Sequence, residues 1–203
     1  MQYSRAMSQK PRGFTLIELV ITVSMAAIIL TLGIPRFREM VLNNKMTAQI
    51  NSLVSDLNLA RSEAIKRGAS VTLCKRNSAG TNCDNTANWN GGWIVFADQN
   101  GNGNFDDDGD TALCEPAEDC LIRVTPPLPS DIRLSFSKNL VTFDAMGASS
   151  GFSGTFKFCD DRGAKKARAT LLENNGRIRN STDSPNDSDQ IHEDLNGNNL
   201  ACP

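Results

Sequence analysis

The sequence is short of the side chains on which most catalytic and metal sites depend. Of its 203 residues, one is a histidine, His192, and one is a tyrosine. It contains no phosphate-binding loop, no dinucleotide fingerprint and no catalytic triad pattern, and it lacks the Cys-x-x-Cys spacing of many zinc sites. These absences favour a protein that is not an enzyme and that needs no cofactor.

Charge is almost absent from residues 14–34. This stretch of twenty-one residues contains one charged side chain, Glu18, and as a helix it is long enough to span a hydrocarbon core of about 30 Å. Residues 1–13 carry three basic side chains and no acidic one. Because basic flanks tend to stay in the cytoplasm, we expect the N-terminus there and everything after residue 34 across the membrane.

Two simpler interpretations of this stretch are a cleaved secretory signal and a plain membrane anchor. A signal would be followed by a small-residue cleavage site and a mature domain, but the apolar run passes through Pro35 into helix-like sequence. A carboxylate such as Glu18 is costly inside a membrane helix and usually marks a function with a partner charge. Both simpler interpretations are therefore disfavoured.

The sequence Gly-Phe-Thr-Leu-Ile-Glu at residues 13–18, with a basic leader before it and an apolar helix after it, resembles the N-terminus of a type IV prepilin. The resemblance implies that prepilin peptidase cuts between Gly13 and Phe14 and methylates Phe14. A buried Glu18, the fifth residue of the mature chain, would then pair with the α-amino group of a neighbouring subunit during assembly. Cleavage would leave 190 residues and take the formal charge from −2 to −5.

The apolar residues of the rest of the chain recur with two different periods. Apolar residues recur at spacings of three and four up to Ala64, and Gly68 is a good helix stop, which predicts one helix over residues 14–67. The period then changes to two, which indicates short strands at residues 70–75, 92–97, 121–124, 132–136, 140–143, 155–158, 167–172 and 177–179. We predict an α+β fold, with a long N-terminal helix on antiparallel sheet. The predicted segments are a leader (1–13), a membrane or fibre-core helix (14–35), its amphipathic half (36–68) and a β-rich head (69–203) that ends in an acidic tail (180–203).

The fuller pattern resembles the FimT/FimU/GspH-like minor pilins and pseudopilins. Segments that carry the resemblance are residues 60–68, 71–74, 91–98, 100–102, 141–144 and 176–179. The resemblance implies a pilin fold in a minor type IV pilin at or near the pilus tip that helps to initiate assembly. Its implied partners are prepilin peptidase, the inner-membrane assembly platform, and other minor and major pilins. The chain would cross the inner membrane once with a periplasmic head, and would lie in the pilus at the cell surface after assembly. The alternative is a minor pseudopilin of a type II secretion system.

Six cysteines in a head outside the cytoplasm indicate disulfide bonds. Of the fifteen pairings that six cysteines allow, the simplest joins Cys74 to Cys83, Cys114 to Cys120 and Cys159 to Cys202. The last of these bonds would tie the tail back to the sheet. The sequence alone leaves the other pairings open.

Residues 98–119 contain eight acidic side chains and no Lys or Arg. Four oxygen-bearing side chains alternate at the start of this segment: Asp98, Asn100, Asn102 and Asp106. With Gly103 in the sixth position they partly match a calcium loop, but the twelfth position is Gly109 instead of the expected Glu. A solvated acidic turn is the simpler interpretation, and calcium remains the alternative.

The most basic segment is residues 157–179, with seven Lys and Arg side chains against three acids. In a strand, Arg177 and Arg179 would share one face, and two guanidinium groups about 7 Å apart match successive backbone phosphates. The Gly-Arg-x-Arg pattern resembles the one that FimT-like minor pilins use to bind DNA during transformation. The resemblance implies a DNA contact at Gly176, Arg177 and Arg179, and nearby basic residues add Lys165, Lys166 and Arg168. A solvated sheet edge is the alternative, and the acidic tail would screen the basic residues if Cys202 joins Cys159.

Overall fold

The computed structural model describes residues 13–106, 114, 118–185 and 189–202. The regular elements of this part are α1 (Leu16–Arg67), β1 (Ser70–Lys75), β2 (Trp93–Asp98), β3 (Cys120–Thr125), β4 (Arg133–Ser135), β5 (Leu140–Phe143), β6 (Gly154–Cys159), β7 (Arg168–Leu172) and β8 (Ile178–Asn180), with 3₁₀ turns at Trp89–Gly91 and Ala164–Lys166. The predicted α+β architecture is confirmed. β1 and β5 have the predicted bounds, and the other strands begin or end one residue away from theirs.

Helix α1 begins at Leu16, two residues after the predicted start. The Thr15 hydroxyl accepts a hydrogen bond from the backbone N–H of Glu18 at 3.3 Å. Thr15 is therefore the N-cap residue, and the helix begins after it. Pro35 lies inside the helix. At the other end Gly68 has φ +63°, the left-handed conformation that commonly follows a helix C-terminus.

The chain divides into two compact units, Met1–Lys45 and Met46–Pro203, and the boundary between them lies within α1. In the described part of the first unit, the large apolar side chains from Leu16 to Ile34 are 46–80% exposed. Within the described residues, α1 is the one helix that is long and apolar enough to cross a membrane.

The second unit contains two four-stranded antiparallel sheets. Sheet 1 has the strand order β3-β2-β1-β5, and sheet 2 has the order β4-β6-β7-β8. β8, which contains Arg179 of the predicted DNA contact, is therefore an edge strand of sheet 2.

One hydrophobic cluster joins the second half of α1 to both sheets. The helix contributes a buried stripe that includes Leu53, Leu57 and Ala60, and the sheets contribute side chains such as Val95 and Phe156. The amphipathic stripe read from the sequence is thus the side of the helix that forms the core.

A carboxylate interrupts that apolar stripe. Asp56 is fully buried and accepts hydrogen bonds from Trp93 Nε1 at 2.9 Å, Thr125 Oγ1 at 2.6 Å and Arg123 Nη1 at 2.9 Å. The three donors belong to β2 and β3, so Asp56 fixes the orientation of the helix on sheet 1. Sequence reasoning missed this residue, although an acid three positions after Leu53 in an apolar stripe was the available signal.

The outer face of each sheet is covered by a segment without regular structure. Phe105 packs on Ile94 and Phe96 of sheet 1. The tail covers sheet 2, where Leu200 contacts the cluster formed around Leu171. Disulfide bonds join Cys74 to Cys83, Cys114 to Cys120 and Cys159 to Cys202. This is the simplest pairing, and its third bond attaches the tail to the end of β6.

Candidate functional site

The predicted processing residues lie immediately before α1. Gly13 and Phe14 precede the first helical residue, and the Phe14 side chain is 81% exposed. Glu18 is exposed in the first turn, where the positive end of the helix dipole favours a negative charge. An exposed Gly–Phe bond is accessible to a peptidase, and an exposed Glu18 is accessible to a second subunit.

The predicted DNA contact lies at the start of β8. Ile178 is half-buried against the main core, whereas Arg177 and Arg179 on either side of it are exposed, as the strand period predicts. We name these two arginines the arginine edge. Arg179 Nε lies 3.2 Å from Glu173 Oε1, and the Arg177 side chain has no hydrogen bond or ion pair with the described residues. Arg177 is therefore the more available of the two cations.

Gly176 sits in the turn that leads into the arginine edge. Its φ is +76°, and a Cβ built there would lie 1.9 Å from the Gly147 carbonyl oxygen. The sequence predicts Gly176 as part of the DNA contact, and in the structure the group that lies closest to it is the chain's own backbone at Gly147. Arg61 of α1 donates from Nε to the same carbonyl at 3.0 Å, so the helix holds the turn in place.

The basic residues of this segment lie at the two ends of β7. Lys165 and Lys166 lie in the 3₁₀ turn before β7, whereas Arg177 lies in the turn after it. The two groups lie beyond opposite ends of β7, whose five residues alone span about 13 Å. Arg168 is half-buried and donates from Nη1 to the Ala167 carbonyl, and burial lowers its pKa.

The tail is held next to the arginine edge without an ion pair to it among the described residues. Arg179 is registered opposite Leu171, which belongs to the cluster that the tail covers. His192 anchors the tail through Nδ1, which lies 2.8 Å from the Ser181 carbonyl oxygen. Burial, and then the charge of Arg168, lower the pKa of His192, so it is neutral in the folded protein near pH 7.

The four candidate calcium ligands lie in the loop that follows β2. Asp98 is buried at the base of the loop, and Asp106 Oδ2 accepts hydrogen bonds from Asn100 Nδ2 at 2.9 Å and Asn102 Nδ2 at 2.7 Å. No group of three or more His, Cys, Asp or Glu side chains within the described residues is arranged to hold a metal. Gly109, the twelfth position, lies outside the described residues.

Two family models match the chain. The family model described as "Type II transport protein GspH" matches residues 49–176, and the "Prokaryotic N-terminal methylation motif" matches residues 8–34. A crystal structure of the type IV minor pilin FimU of Pseudomonas aeruginosa is similar at 18% identity and a TM-score of 0.47, over 70% of this chain and 90% of that one. A second crystal form of FimU is similar at 17% identity and a TM-score of 0.45, over 68% and 92%. No curated protein matches the chain.

Proposed function

This chain belongs to the GspH family and carries the N-terminal methylation motif, and on that basis we propose that it is a minor type IV pilin that joins the pilus at or near its tip and helps to initiate assembly. In this proposal prepilin peptidase cuts between Gly13 and Phe14 and methylates Phe14. Before assembly, the chain spans the inner membrane with its head in the periplasm. Its partners there are the assembly platform and other minor and major pilins.

The observation that carries the proposal is the exposed apolar start of α1 with a single acid in it. Large apolar side chains point outward on every side from Leu16 to Ile34. Exposure of so large an apolar surface to water is unfavourable. This half of α1 therefore needs a bilayer around it before assembly and the helices of other subunits afterwards. The Glu18 side chain has no ion pair with the described residues, and a neighbouring subunit's α-amino group would supply a cation on assembly.

The test is to replace Glu18 by Ala. We expect Glu18→Ala to insert into the inner membrane normally but to be incorporated into sheared pili at least about tenfold less, since an unpaired α-amino group in the apolar fibre core is costly. Glu39→Ala, which removes an acid of the same helix beyond residue 34, is the matched control and should be incorporated normally. Normal incorporation of Glu18→Ala would contradict the charge pairing.

The family's description as a type II transport protein favours a second candidate function, a minor pseudopilin of a type II secretion system. The exposed helix and the processing site would serve both machines in the same way. Deletion of the gene distinguishes them: loss of surface pili with normal protein secretion supports the pilin, and loss of secretion with normal pili supports the pseudopilin.

The arginine edge favours DNA binding as an additional role of the head. Two exposed guanidinium groups on one side of an edge strand can each contact a backbone phosphate. The fragment 46–203 suits a gel-shift titration, because all three hydrophobic clusters lie within it. We expect Arg177→Gln/Arg179→Gln to abolish binding at low salt. Lys165→Gln/Lys166→Gln removes the same charge at the other end of β7 and should retain binding. Equal binding by both double variants would exclude the arginine edge.

A further inference from the structure

The chain contains five Asn-Gly pairs, the dipeptide at which asparagine loses its side-chain amide most readily. They are Asn90-Gly91, Asn100-Gly101, Asn102-Gly103, Asn175-Gly176 and Asn196-Gly197. In this reaction the backbone nitrogen of the following residue attacks the side-chain carbonyl carbon of the asparagine. Glycine leaves that nitrogen open because it has no Cβ. In a folded protein, the rate at each pair therefore depends on how the glycine nitrogen is held.

Hydrogen bonds hold the nitrogen atoms of four of these glycines. Gly91, Gly176 and Gly197 each donate to the carbonyl oxygen of the residue three positions earlier, at 2.9–3.2 Å. Gly103 is buried and donates to the Asp98 carboxylate at 2.9 Å. A nitrogen held in this way must give up its hydrogen bond before it can attack, and this slows the reaction.

Gly101 is the exception. It is exposed, and its N–H donates no hydrogen bond within the part of the chain that the structure describes. A Cβ built at Gly101 would have one neighbour within 4 Å, Ser70 Oγ at 3.9 Å. Water therefore reaches this nitrogen and can remove its proton.

The Asn100 and Asn102 side chains have matching surroundings. Asn100 Oδ1 accepts a hydrogen bond from the backbone N–H of Asn102 at 3.0 Å, and Asn102 Oδ1 accepts one from that of Asn104 at 2.7 Å. Both Nδ2 groups donate to Asp106 Oδ2, at 2.9 and 2.7 Å. The hydrogen bond to each Oδ1 folds the amide over the following glycine and would stabilise the negative charge that develops on Oδ1 during attack. The two asparagines differ in the glycine nitrogen that follows each of them.

We propose that Asn100 is a site of spontaneous deamidation, with water as the only co-reactant. The Gly101 nitrogen forms a bond to Asn100 Cγ, the Cγ–Nδ2 bond breaks, and Nδ2 leaves as ammonia with the proton of the Gly101 N–H. Water then opens the cyclic imide. Cleavage of the bond between the nitrogen and Cγ leaves aspartate, and cleavage of the bond between the nitrogen and the backbone carbonyl carbon leaves isoaspartate. Neither step needs an oxidant or a reductant.

The reaction changes the charge of the loop that follows β2. Asn100 donates a hydrogen bond to Asp106, whereas a carboxylate at position 100 repels Asp106. Phe105, the neighbour of Asp106, packs on Ile94 and Phe96, so the modification weakens the segment that covers the outer face of sheet 1. The proposal is independent of the proposed pilus role, since the same chemistry would occur in a pseudopilin.

The experiment incubates the purified full chain, in detergent and with its disulfides oxidised, in mildly alkaline buffer. Mass spectrometry of proteolytic peptides follows each Asn-Gly pair. We expect Asn100 to convert at least about tenfold faster than Asn102, because the Gly103 N–H must first give up its hydrogen bond to the Asp98 carboxylate. In the chain unfolded by urea, both glycine nitrogens are exposed, and the two rates should agree within about threefold. The proposal is overturned if Asn102 converts as fast as Asn100 in the folded chain, or if the full difference persists in urea.

The matched variants are Asn100→Gln and Asn102→Gln. Glutamine keeps the amide, but its extra methylene group makes ring closure much slower. Asn100→Gln should therefore lose most of the early release of ammonia by the folded chain, whereas Asn102→Gln should release ammonia as the wild type does. Equal release by the two variants would contradict the assignment to Asn100.

Discussion

At the scale of single residues, the stability of the head depends on glycines with positive φ and on the single histidine. Gly176 and Gly163 both have positive φ, +76° and +80°, but their surroundings differ. A Cβ at Gly176 meets the Gly147 carbonyl oxygen, whereas a Cβ at Gly163 meets nothing within 4 Å. The pair therefore separates the cost of backbone conformation from the cost of a steric clash.

We predict that Gly163→Ala lowers the free energy of unfolding by about 1 kcal/mol, the cost of positive φ in a residue with a side chain. Gly176→Ala should cost at least about 2 kcal/mol more, because the turn must move away from Gly147. Urea unfolding of the fragment 46–203 measures both values. Equal costs would show that the Gly147 contact relaxes freely.

The single histidine predicts a pH dependence. The folded pKa of His192 is lowered by burial and by Arg168, from an ordinary value of 6.5. The unfolded chain therefore binds the proton more tightly, and the free energy of unfolding should fall as the pH drops through 6.5 towards the folded pKa. His192→Asn keeps a donor near the Ser181 carbonyl but cannot ionise. Denaturant unfolding between about pH 8 and pH 5 should show a flatter profile for the variant; parallel profiles would assign the dependence to other groups.

At the scale of elements, sheet 2 depends on the tail for its outer cover. The Cys159–Cys202 bond spans 43 residues, whereas Cys74–Cys83 spans 9. In the chain-entropy model, closing these loops stabilises the folded state by about 4 and about 3 kcal/mol. The long bond also keeps Leu200 on the cluster around Leu171.

We predict that Cys159→Ala/Cys202→Ala releases the tail, so that limited proteolysis cuts between residues 180 and 202 while sheet 1 stays intact. Cys74→Ala/Cys83→Ala is the control. It should leave the tail protected, because the Cys74–Cys83 bond belongs to sheet 1 and the tail covers sheet 2. Mass spectrometry of the fragments gives the cleavage sites. Equal cleavage of the tail in both variants would contradict a local role for the long disulfide.

At the scale of the whole molecule, charge limits how DNA can be bound. The mature chain would carry a formal charge of −5, so affinity must come from the arginine edge and not from a general positive field. With two phosphates neutralised, log K should fall against log salt with a slope of about −1.8. Titrations at several salt concentrations should give this slope for the fragment 46–203. A much steeper slope, retained by Arg177→Gln/Arg179→Gln, would locate binding elsewhere.

The chain's local patterns determined much of this protein. A run of apolar residues with one acid predicted the exposed half of α1, a period of three to four predicted its buried stripe, and a period of two predicted strands to within one residue. These features depend on neighbours in sequence, since burial of one face imposes the spacing. The prepilin-like segment at residues 13–18 was informative for the same reason, because the N-terminal methylation motif is contiguous.

Only the tertiary structure decided which distant residues meet. The sequence grouped Lys165 with Arg177 because they are close along the chain, but β7 separates them, since a strand carries its two flanking turns to opposite ends. Gly176 was predicted as part of the DNA contact, but its closeness to the Gly147 carbonyl was visible only in the structure. The pairing of Ala97 with Cys120 likewise depends on the β2–β3 register, which a periodic pattern does not specify because long-range pairing depends on the packing of the whole core.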